Sequence, residues 1–95
     1  MTDEEMIELF EKHSDEYIKF EKVQNKYSQR ADLHAFILLD HLVPGNGDMI
    51  CNSEHDEITL EVEPFDLAKV ITEEQIIELI RCGVRYDGEY FCMFT

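Results

Sequence analysis

A glycine-containing break at Pro44-Gly-Asn-Gly-Asp48 divides the chain into two halves of different character. Residues 3–43 contain neither Gly nor Pro and space their apolar side chains as helices do, whereas residues 48–95 mix alternating and helical patterns. Each half is too short to form a domain alone, so the 95 residues predict one domain, with a helical half over about 1–43 and a mixed half over about 48–95.

The first helix is predicted to begin at the capping box Thr2-Asp-Glu-Glu5, in which the Thr2 and Glu5 side chains bond each other's backbone amides. An apolar and aromatic stripe follows at alternating steps of four and three: Met6, Phe10, His13, Tyr17, Phe20, Gln24 and Tyr27. This spacing predicts one helix to about Lys26, with a break near Ser14-Asp15 as the alternative. Such a stripe packs into a core or pairs with a second copy, so a homodimer through the first helix is one hypothesis.

Three further helices are predicted. One runs from about Arg30 to Leu42 and is apolar around most of its circumference, which indicates burial. A short helix follows Pro64 over residues 64–70. A last helix starts at the second capping box, Thr72-Glu-Glu-Gln75, and Gly83 suits its left-handed C-terminal cap.

The strands are predicted in the second half. Met49-Ile50-Cys51 suits an edge strand, and Ile58-Thr-Leu-Glu-Val-Glu63 alternates, so that Glu61 and Glu63 face solvent. Val84–Phe94 is predicted to be a β-hairpin around a two-residue turn at Asp87-Gly88. The sequence therefore predicts an α+β fold of three to four helices, with a small, mostly antiparallel sheet and a C-terminal β-hairpin.

Composition restricts the partners. The chain carries 22 Asp and Glu against 8 Lys and Arg, a net charge of −14. Such a chain is not expected to bind a nucleic-acid backbone or an anionic membrane directly. Three widely spaced cysteines do not suit a secreted disulfide framework, the acidic start Met1-Thr-Asp-Glu-Glu-Met6 does not suit a secretory signal, and no apolar run is long enough to span a bilayer. We therefore expect a cytoplasmic protein.

Motifs for catalysis are absent from the sequence. Gly45-Asn-Gly47 lacks the Gly-Lys-Ser/Thr of a phosphate-binding loop, and there is neither a Cys-x-x-Cys pair nor a Gly-x-Ser-x-Gly elbow. We predict no catalytic residue and no cofactor, and so a binding protein rather than an enzyme.

The acids are the strongest indication of function. Glu4, Glu8, Glu11 and Asp15 recur at helical spacing on one face of the predicted first helix, and Glu61 and Glu63 form a second patch. Carboxylates on rigid elements attract a basic groove by the same long-range force as DNA phosphates. These six residues predict a surface for a basic protein, although a solvated amphipathic helix has the same pattern.

A metal or small-ligand site is the alternative. Its residues would be Cys51, His55, Asp56 and Glu57, joined by Cys82 or Cys92. The same cluster is typical of a polar turn leading into a strand, so the metal-free interpretation is preferred. His34 and His41 lie two turns apart on the second helix, about 10 Å along its axis, and suit half-buried structural roles.

Several segments resemble small proteins of unassigned function from tailed phages and prophages. They are Arg30-Ala-Asp-Leu-His-Ala-Phe36, Glu54-His-Asp-Glu-Ile58, Arg81-Cys-Gly-Val-Arg-Tyr-Asp87 and the closing Met93-Phe94, so the resemblance covers about residues 30–95. It implies a bacterial host cytoplasm and a class rich in small acidic proteins that disable host machinery, but it assigns no functional residue. Together with the acids, it favours a DNA-mimic-like inhibitor of a basic host protein.

Overall fold

A computed structural model describes residues 1–94. Within them the chain forms four α-helices and four β-strands, which confirms the predicted α+β class. In chain order these are α1 (Asp3–Lys12), α2 (Ala31–Leu42), β1 (Ile50–Glu54), β2 (Glu57–Leu60), α3 (Pro64–Ala68), α4 (Glu73–Arg81), β3 (Arg85–Tyr86) and β4 (Phe91–Phe94). No helix in this part of the chain has the length and apolar character needed to cross a membrane.

The strands form one antiparallel sheet in the order β1-β2-β4-β3. Leu60 of β2 lies opposite Phe91 of β4, and both side chains are buried. All five residues of β1 are exposed, which confirms the predicted edge strand, although it begins at Ile50 rather than Met49. The antiparallel C-terminal hairpin is confirmed as well.

Both predicted capping boxes are present. The Thr2 hydroxyl accepts from the Glu5 amide and the Glu5 carboxylate from the Thr2 amide, and Thr72 and Gln75 repeat this arrangement at α4. Gly83 follows α4 with φ of +98°, a left-handed conformation that favours glycine. These local motifs determine where α1 and α4 begin and where α4 ends.

The prediction of one helix to Lys26 is wrong, and the alternative break near Ser14-Asp15 is correct. After α1 ends at Lys12, two 3-10 turns follow, Ser14–Glu16 and Phe20–Lys22. The cause lies in contacts with α4: the Ile18 amide donates to the Ile80 carbonyl at 3.2 Å, and Arg81 Nε donates to Glu16 Oε1 at 2.7 Å. These contacts outweigh the helical periodicity of the segment.

The aromatic stripe is consequently not one helix face. Met6 and Phe10 on α1 are buried, Tyr17 and Phe20 pack against the same core from the irregular segment, and Tyr27 stacks on His34 with ring centroids 5.2 Å apart. Most of the stripe is thus satisfied within a single chain. The continuous helical seam on which the homodimer hypothesis rested does not form.

Helix α2 matches its predicted boundaries, with Arg30 as N-cap and Leu42 as its last residue. Ala35, Leu38 and Leu39 are buried, but Leu33 is 43% exposed, so α2 is not buried on all sides as its composition indicated. Pro64 opens α3, which confirms the short helix, although it ends at Ala68.

The end of strand β2 and the turn of the C-terminal hairpin both differ from their predictions. Strand β2 ends at Leu60, where the Val62 amide turns back to the Leu60 carbonyl at 3.0 Å, so Glu61 and Glu63 leave the sheet. In the hairpin, the Asp87 amide donates to the Tyr90 carbonyl, so the two central residues are Gly88-Glu89 rather than Asp87-Gly88. Gly88 has φ of +104°, and that position requires the glycine.

Candidate functional site

Three of the predicted acids share the exposed face of α1. Glu4, Glu8 and Glu11 fall within an arc of roughly 60° and span about 10 Å of the helix axis, opposite buried Met6. Asp15 is exposed too, but it lies beyond the end of α1 in the first 3-10 turn, so it does not continue this face as predicted. This face of the helix therefore presents three of the four predicted carboxylates.

Glu61 and Glu63 lie in the segment between β2 and α3. The Glu61 amide donates to the Met49 carbonyl at 2.6 Å, which holds this segment beside the start of β1, and Glu63 is the N-cap residue of α3. Both side chains are exposed. The pair thus projects from an ordered connection rather than from the predicted strand face.

These two acids line a concave surface of about 410 Å³, here called the acidic groove. It is formed where the start of α1, the β2–α3 connection and the tip of the C-terminal hairpin meet. Four carboxylates and three aromatic rings line it: Asp3, Glu61, Glu63, Glu89, Phe65, Tyr86 and Tyr90. Among the described residues, neither Lys nor Arg contributes to its lining.

The charge of the acidic groove acts on its other ionisable groups. Partial burial raises the pKa of Tyr86, and the negative charges of Asp87, Asp3, Glu63 and Glu89 raise it further. The pKa of Tyr90 is raised chiefly by the charge of Glu89. In both cases the local potential disfavours another negative charge, so it favours a cation.

A thiol also lines the acidic groove. Cys51 on β1 is exposed as a residue, and its sulfur donates to the Thr59 carbonyl at 3.6 Å. Covering of the sulfur raises the thiol pKa, and the hydrogen bond and charge of Glu61 raise it further. This is the opposite of the electropositive setting that activates a cysteine.

The aromatic walls leave much surface uncovered. Phe65 is 55% exposed and Tyr90 is 49% exposed. Lys69, the C-cap residue of α3, places Nζ 4.3 Å from the centroid of the Phe65 ring without lining the acidic groove. The Phe65 ring therefore already has one cation–π contact, with a lysine of this chain.

A second group of acids lies nearby, around Arg85. Oxygen and sulfur atoms of Glu57, Asp87 and Cys92 lie within 4.8 Å of one another, a spacing that metal ions accept. Arg85 already pairs with Glu57, however, and its guanidinium lies 4.0 Å from the centroid of the Phe94 ring. We call these four residues, Glu57, Arg85, Asp87 and Cys92, the Arg85 cluster.

The Arg85 cluster is poorly suited to a metal. Its cation is supplied by the chain itself, and burial raises the pKa of the Cys92 thiol, so the thiolate that metals require is disfavoured. Asp87 has two backbone partners, because its carboxylate accepts from the amides of Tyr90 at 2.7 Å and Glu89 at 2.9 Å. These bonds lower the pKa of Asp87 and hold the hairpin tip.

The predicted metal alternative is not assembled. Cys51 lies in the acidic groove, Glu57 belongs to the Arg85 cluster, and His55 stands in the β1–β2 turn with φ of +56° and a side chain 90% exposed. Asp56 is exposed in the same turn. Among the described residues, the four do not form a cluster at ligand spacing, and neither does a set that adds Cys82.

The remaining predicted residues are structural. Cys82 is buried, and burial raises its thiol pKa to about 12. His34 is fully buried: its Nδ1 accepts from the Tyr27 amide at 3.0 Å, and its Nε2 donates to Glu78 at 2.8 Å. His41 is exposed, with its ring edge-on to Tyr27. The structural role predicted for His34 is confirmed, although its side chain is fully buried rather than half-buried. The half-buried position predicted for His41 is wrong, because that residue is exposed.

Sequence reasoning missed the aromatic part of the acidic groove. Each exposed ring has an acid within two positions in the sequence, Glu63 for Phe65 and Glu89 for Tyr90. This spacing of acids and aromatic residues could have indicated a mixed acidic and aromatic surface. Comparisons of the chain with protein-family models, with curated proteins and with solved structures find no match. The function is therefore argued from the residues of this chain.

Proposed function

We propose that this protein is a non-catalytic acidic binding protein that engages a basic host protein in the manner of a DNA mimic. One observation carries the proposal. Within residues 1–94, none of the six acids predicted as the partner surface takes part in an ion pair, and all six are exposed: Glu4, Glu8, Glu11, Asp15, Glu61 and Glu63.

Half of the basic residues are engaged in ion pairs with other acids. Lys12, Lys19, Arg81 and Arg85, half of the eight bases, pair with Glu73, Glu16 and Glu57 elsewhere in the fold. The unpaired acids thus remain available to an external cation. Steering by such a field speeds association with a basic partner and weakens steeply with salt.

The acids on α1 do not copy a DNA strand in density. Glu4, Glu8 and Glu11 place three charges over about 10 Å of helix axis. Phosphates of one DNA strand follow at about 3.4 Å. The proposed role of the α1 acids is therefore long-range attraction, while close contacts come from elsewhere on the same surface.

The proposal assigns no catalytic residue. Burial raises the pKa of all three thiols, and the hydrogen bond and charge of Glu61 raise that of Cys51 further, so none of the three is prepared as a nucleophile. The phage resemblance supports a partner in a bacterial host, and the exposed acids support one that is basic and binds nucleic acid.

Capture from a bacterial lysate tests the proposal. Tagged protein is eluted along a salt gradient, and duplex DNA is offered to the retained complex as a competitor. We expect a basic nucleic-acid-binding protein that moderate salt releases and DNA displaces. Retention of only acidic or neutral proteins, or indifference of the complex to both salt and DNA, would contradict the proposal.

Matched variants separate the surface from the total charge. Glu4→Gln/Glu8→Gln/Glu11→Gln and Glu21→Gln/Asp40→Asn/Asp56→Asn each remove three negative charges from exposed positions. With the captured partner purified, we expect the first variant to slow association roughly tenfold at low salt and the second to do much less. Equal slowing would mean that only net charge matters.

A further inference from the structure

We propose that the acidic groove is the anchor point of this surface and that it holds one arginine side chain of the partner protein. The inference rests on the proposed function and deepens it, because it names the contact that follows electrostatic encounter. The acidic groove combines apolar walls with a carboxylate rim, and a guanidinium is the side-chain cation that uses both.

The acidic groove has an apolar floor. Leu60 and Val62 are buried beneath the groove, and the rings of Phe65, Tyr86 and Tyr90 rise around it. A planar guanidinium stacks on aromatic faces and carries less tightly held water than an ammonium. The floor therefore favours arginine over a fully hydrated ion.

The acidic groove also has a carboxylate rim. Asp3, Glu61, Glu63 and Glu89 come from three separate segments and converge on one concavity. Carboxylates accept the paired N–H groups of arginine with geometric specificity. An anionic or neutral occupant would meet uncompensated repulsion or gain nothing from the rim, so charge complementarity selects a cation.

The Arg85 cluster provides an internal template for this contact. There, a guanidinium lies 4.0 Å from the centroid of the Phe94 ring while it binds the Glu57 carboxylate. The acidic groove offers the same two components, aromatic rings and carboxylates, and neither Lys nor Arg is among its described lining residues, although Lys69 contacts the Phe65 ring. A larger neighbouring concavity of about 500 Å³ contains Arg85 in its lining and is therefore less suited to a second guanidinium.

Blocked tripeptides test the inference directly. Acetyl-Gly-Arg-Gly-amide is titrated into isotopically labelled protein, and amide chemical shifts are followed by NMR. The lysine peptide and the citrulline peptide are matched probes, because citrulline keeps the shape of arginine without its charge. With the arginine peptide we expect saturable chemical-shift changes at Cys51, Phe65 and Tyr90. The lysine peptide should bind more weakly, and the citrulline peptide should cause no saturable changes at these residues.

Variants assign the binding to the groove. Tyr90→Leu removes a ring and keeps the charge, and should weaken the arginine peptide about 2- to 5-fold, the factor expected for one exposed cation–π contact. Glu61→Gln/Glu63→Gln removes rim charge and should weaken it at least as much. Glu4→Gln/Glu8→Gln removes the same charge outside the groove and should change the affinity less than twofold.

The outcomes separate this inference from the proposed function. Equal binding of the citrulline peptide, equal binding of the lysine peptide, or an equal loss in Glu4→Gln/Glu8→Gln would overturn the arginine anchor. If the lysate partner is retained by Glu61→Gln/Glu63→Gln as tightly as by the unmodified chain, the anchor fails while the proposed function stands. If the arginine peptide binds the groove but no basic protein is captured, the proposed function fails and the site stands.

Discussion

The acidic groove and the Arg85 cluster are built from the same components and differ in one respect. Both bring carboxylates together beside an aromatic ring, and the hairpin strand β3 and its turn contribute to both. In the Arg85 cluster the chain supplies a cation that pairs with a carboxylate, whereas no described Lys or Arg forms an ion pair with a carboxylate of the acidic groove. The comparison teaches that the net charge of −14 does not show where negative charge is available to a partner.

The largest expected difference between the two regions is in stability. Arg85→Met keeps an apolar stem against Phe94 but leaves Glu57 without its partner. Because the pair is about one-third exposed, we expect a loss of about 1–2 kcal/mol in the free energy of unfolding, between the values for surface and buried pairs. Denaturant unfolding measures it. Lys22→Met makes the same charge change at an exposed lysine outside the ion pairs, and an equal loss there would refute the assigned role of Arg85.

The pH dependence of the hairpin tip is the second prediction. The hydrogen bonds from Tyr90 and Glu89 make the pKa of Asp87 lower in the folded protein than the ordinary value of 3.8. Ionised Asp87 therefore stabilises the fold above about pH 4, and this contribution disappears as the pH falls through the lowered pKa. We expect Asp87→Asn to be less stable than the unmodified chain by about 0.5 kcal/mol at pH 7, since solvent screens an exposed charge.

That difference should vanish towards pH 2, and unfolding curves at several pH values provide the measurement. Glu89→Gln is the control. It removes a carboxylate next to the turn that accepts neither of the two hydrogen bonds made by Asp87. A stability gap between Asp87→Asn and the unmodified chain that stays constant from neutral to acid pH would contradict the account.

Neutralising carboxylates of the acidic groove should stabilise the fold, the opposite of what is expected for Arg85→Met and Asp87→Asn. Glu61 and Glu63 face like-charged neighbours, and neither has an ion-pair partner among the described residues. We expect Glu61→Gln/Glu63→Gln to raise the free energy of unfolding by roughly 0.2–0.5 kcal/mol per charge, the usual size of a like-charge contact. Glu57→Gln, in the Arg85 cluster, should lower it. If both changes moved stability in the same direction, the contrast between the regions would be lost.

The smallest effect is that of salt on the whole molecule. Screening of the unpaired acids should raise the melting temperature by a few degrees between low salt and about 0.5 M, where the Debye length falls well below 10 Å. Thermal unfolding monitored by circular dichroism measures this. A flat or falling trend would indicate that the acids are compensated locally and so less available to a partner.

The elements that the sequence predicted are those coded locally. Thr2 and Glu5, or Thr72 and Gln75, lie three positions apart and form their capping boxes regardless of the rest of the fold. Gly83 adopts its cap for the same local reason. The segment after Lys12 was mispredicted because its conformation depends on Arg81, 65 positions from Glu16.

The acidic groove was beyond sequence reasoning for a related reason. Glu61 and Glu63 were identified as acids, but their neighbours Asp3 and Glu89 come from opposite ends of the chain. Which acids are neutralised also depends on tertiary contacts. Glu57, a member of the alternative metal set in the sequence analysis, pairs with Arg85 across the sheet. Spacing along one helix could predict only the α1 face.

The thiol of Cys51 offers the most direct measurement of the central claim, that the acidic groove presents uncompensated negative charge. Cys51 is the exposed cysteine and lines the groove, while Cys82 and Cys92 are buried. The Cys51 thiol is modified by two methanethiosulfonate reagents, one with a cationic trimethylammonium group and one with an anionic sulfonate group. Each rate is divided by the rate of the same reagent with the neutral thiol 2-mercaptoethanol. We predict that the cationic reagent reacts roughly tenfold faster than the anionic one, or more, at about 10 mM salt, and that this ratio approaches one at high salt. The ratio should fall further in Glu61→Gln/Glu63→Gln than in Glu4→Gln/Glu8→Gln. A preference at low salt no greater than that of 2-mercaptoethanol would contradict the account.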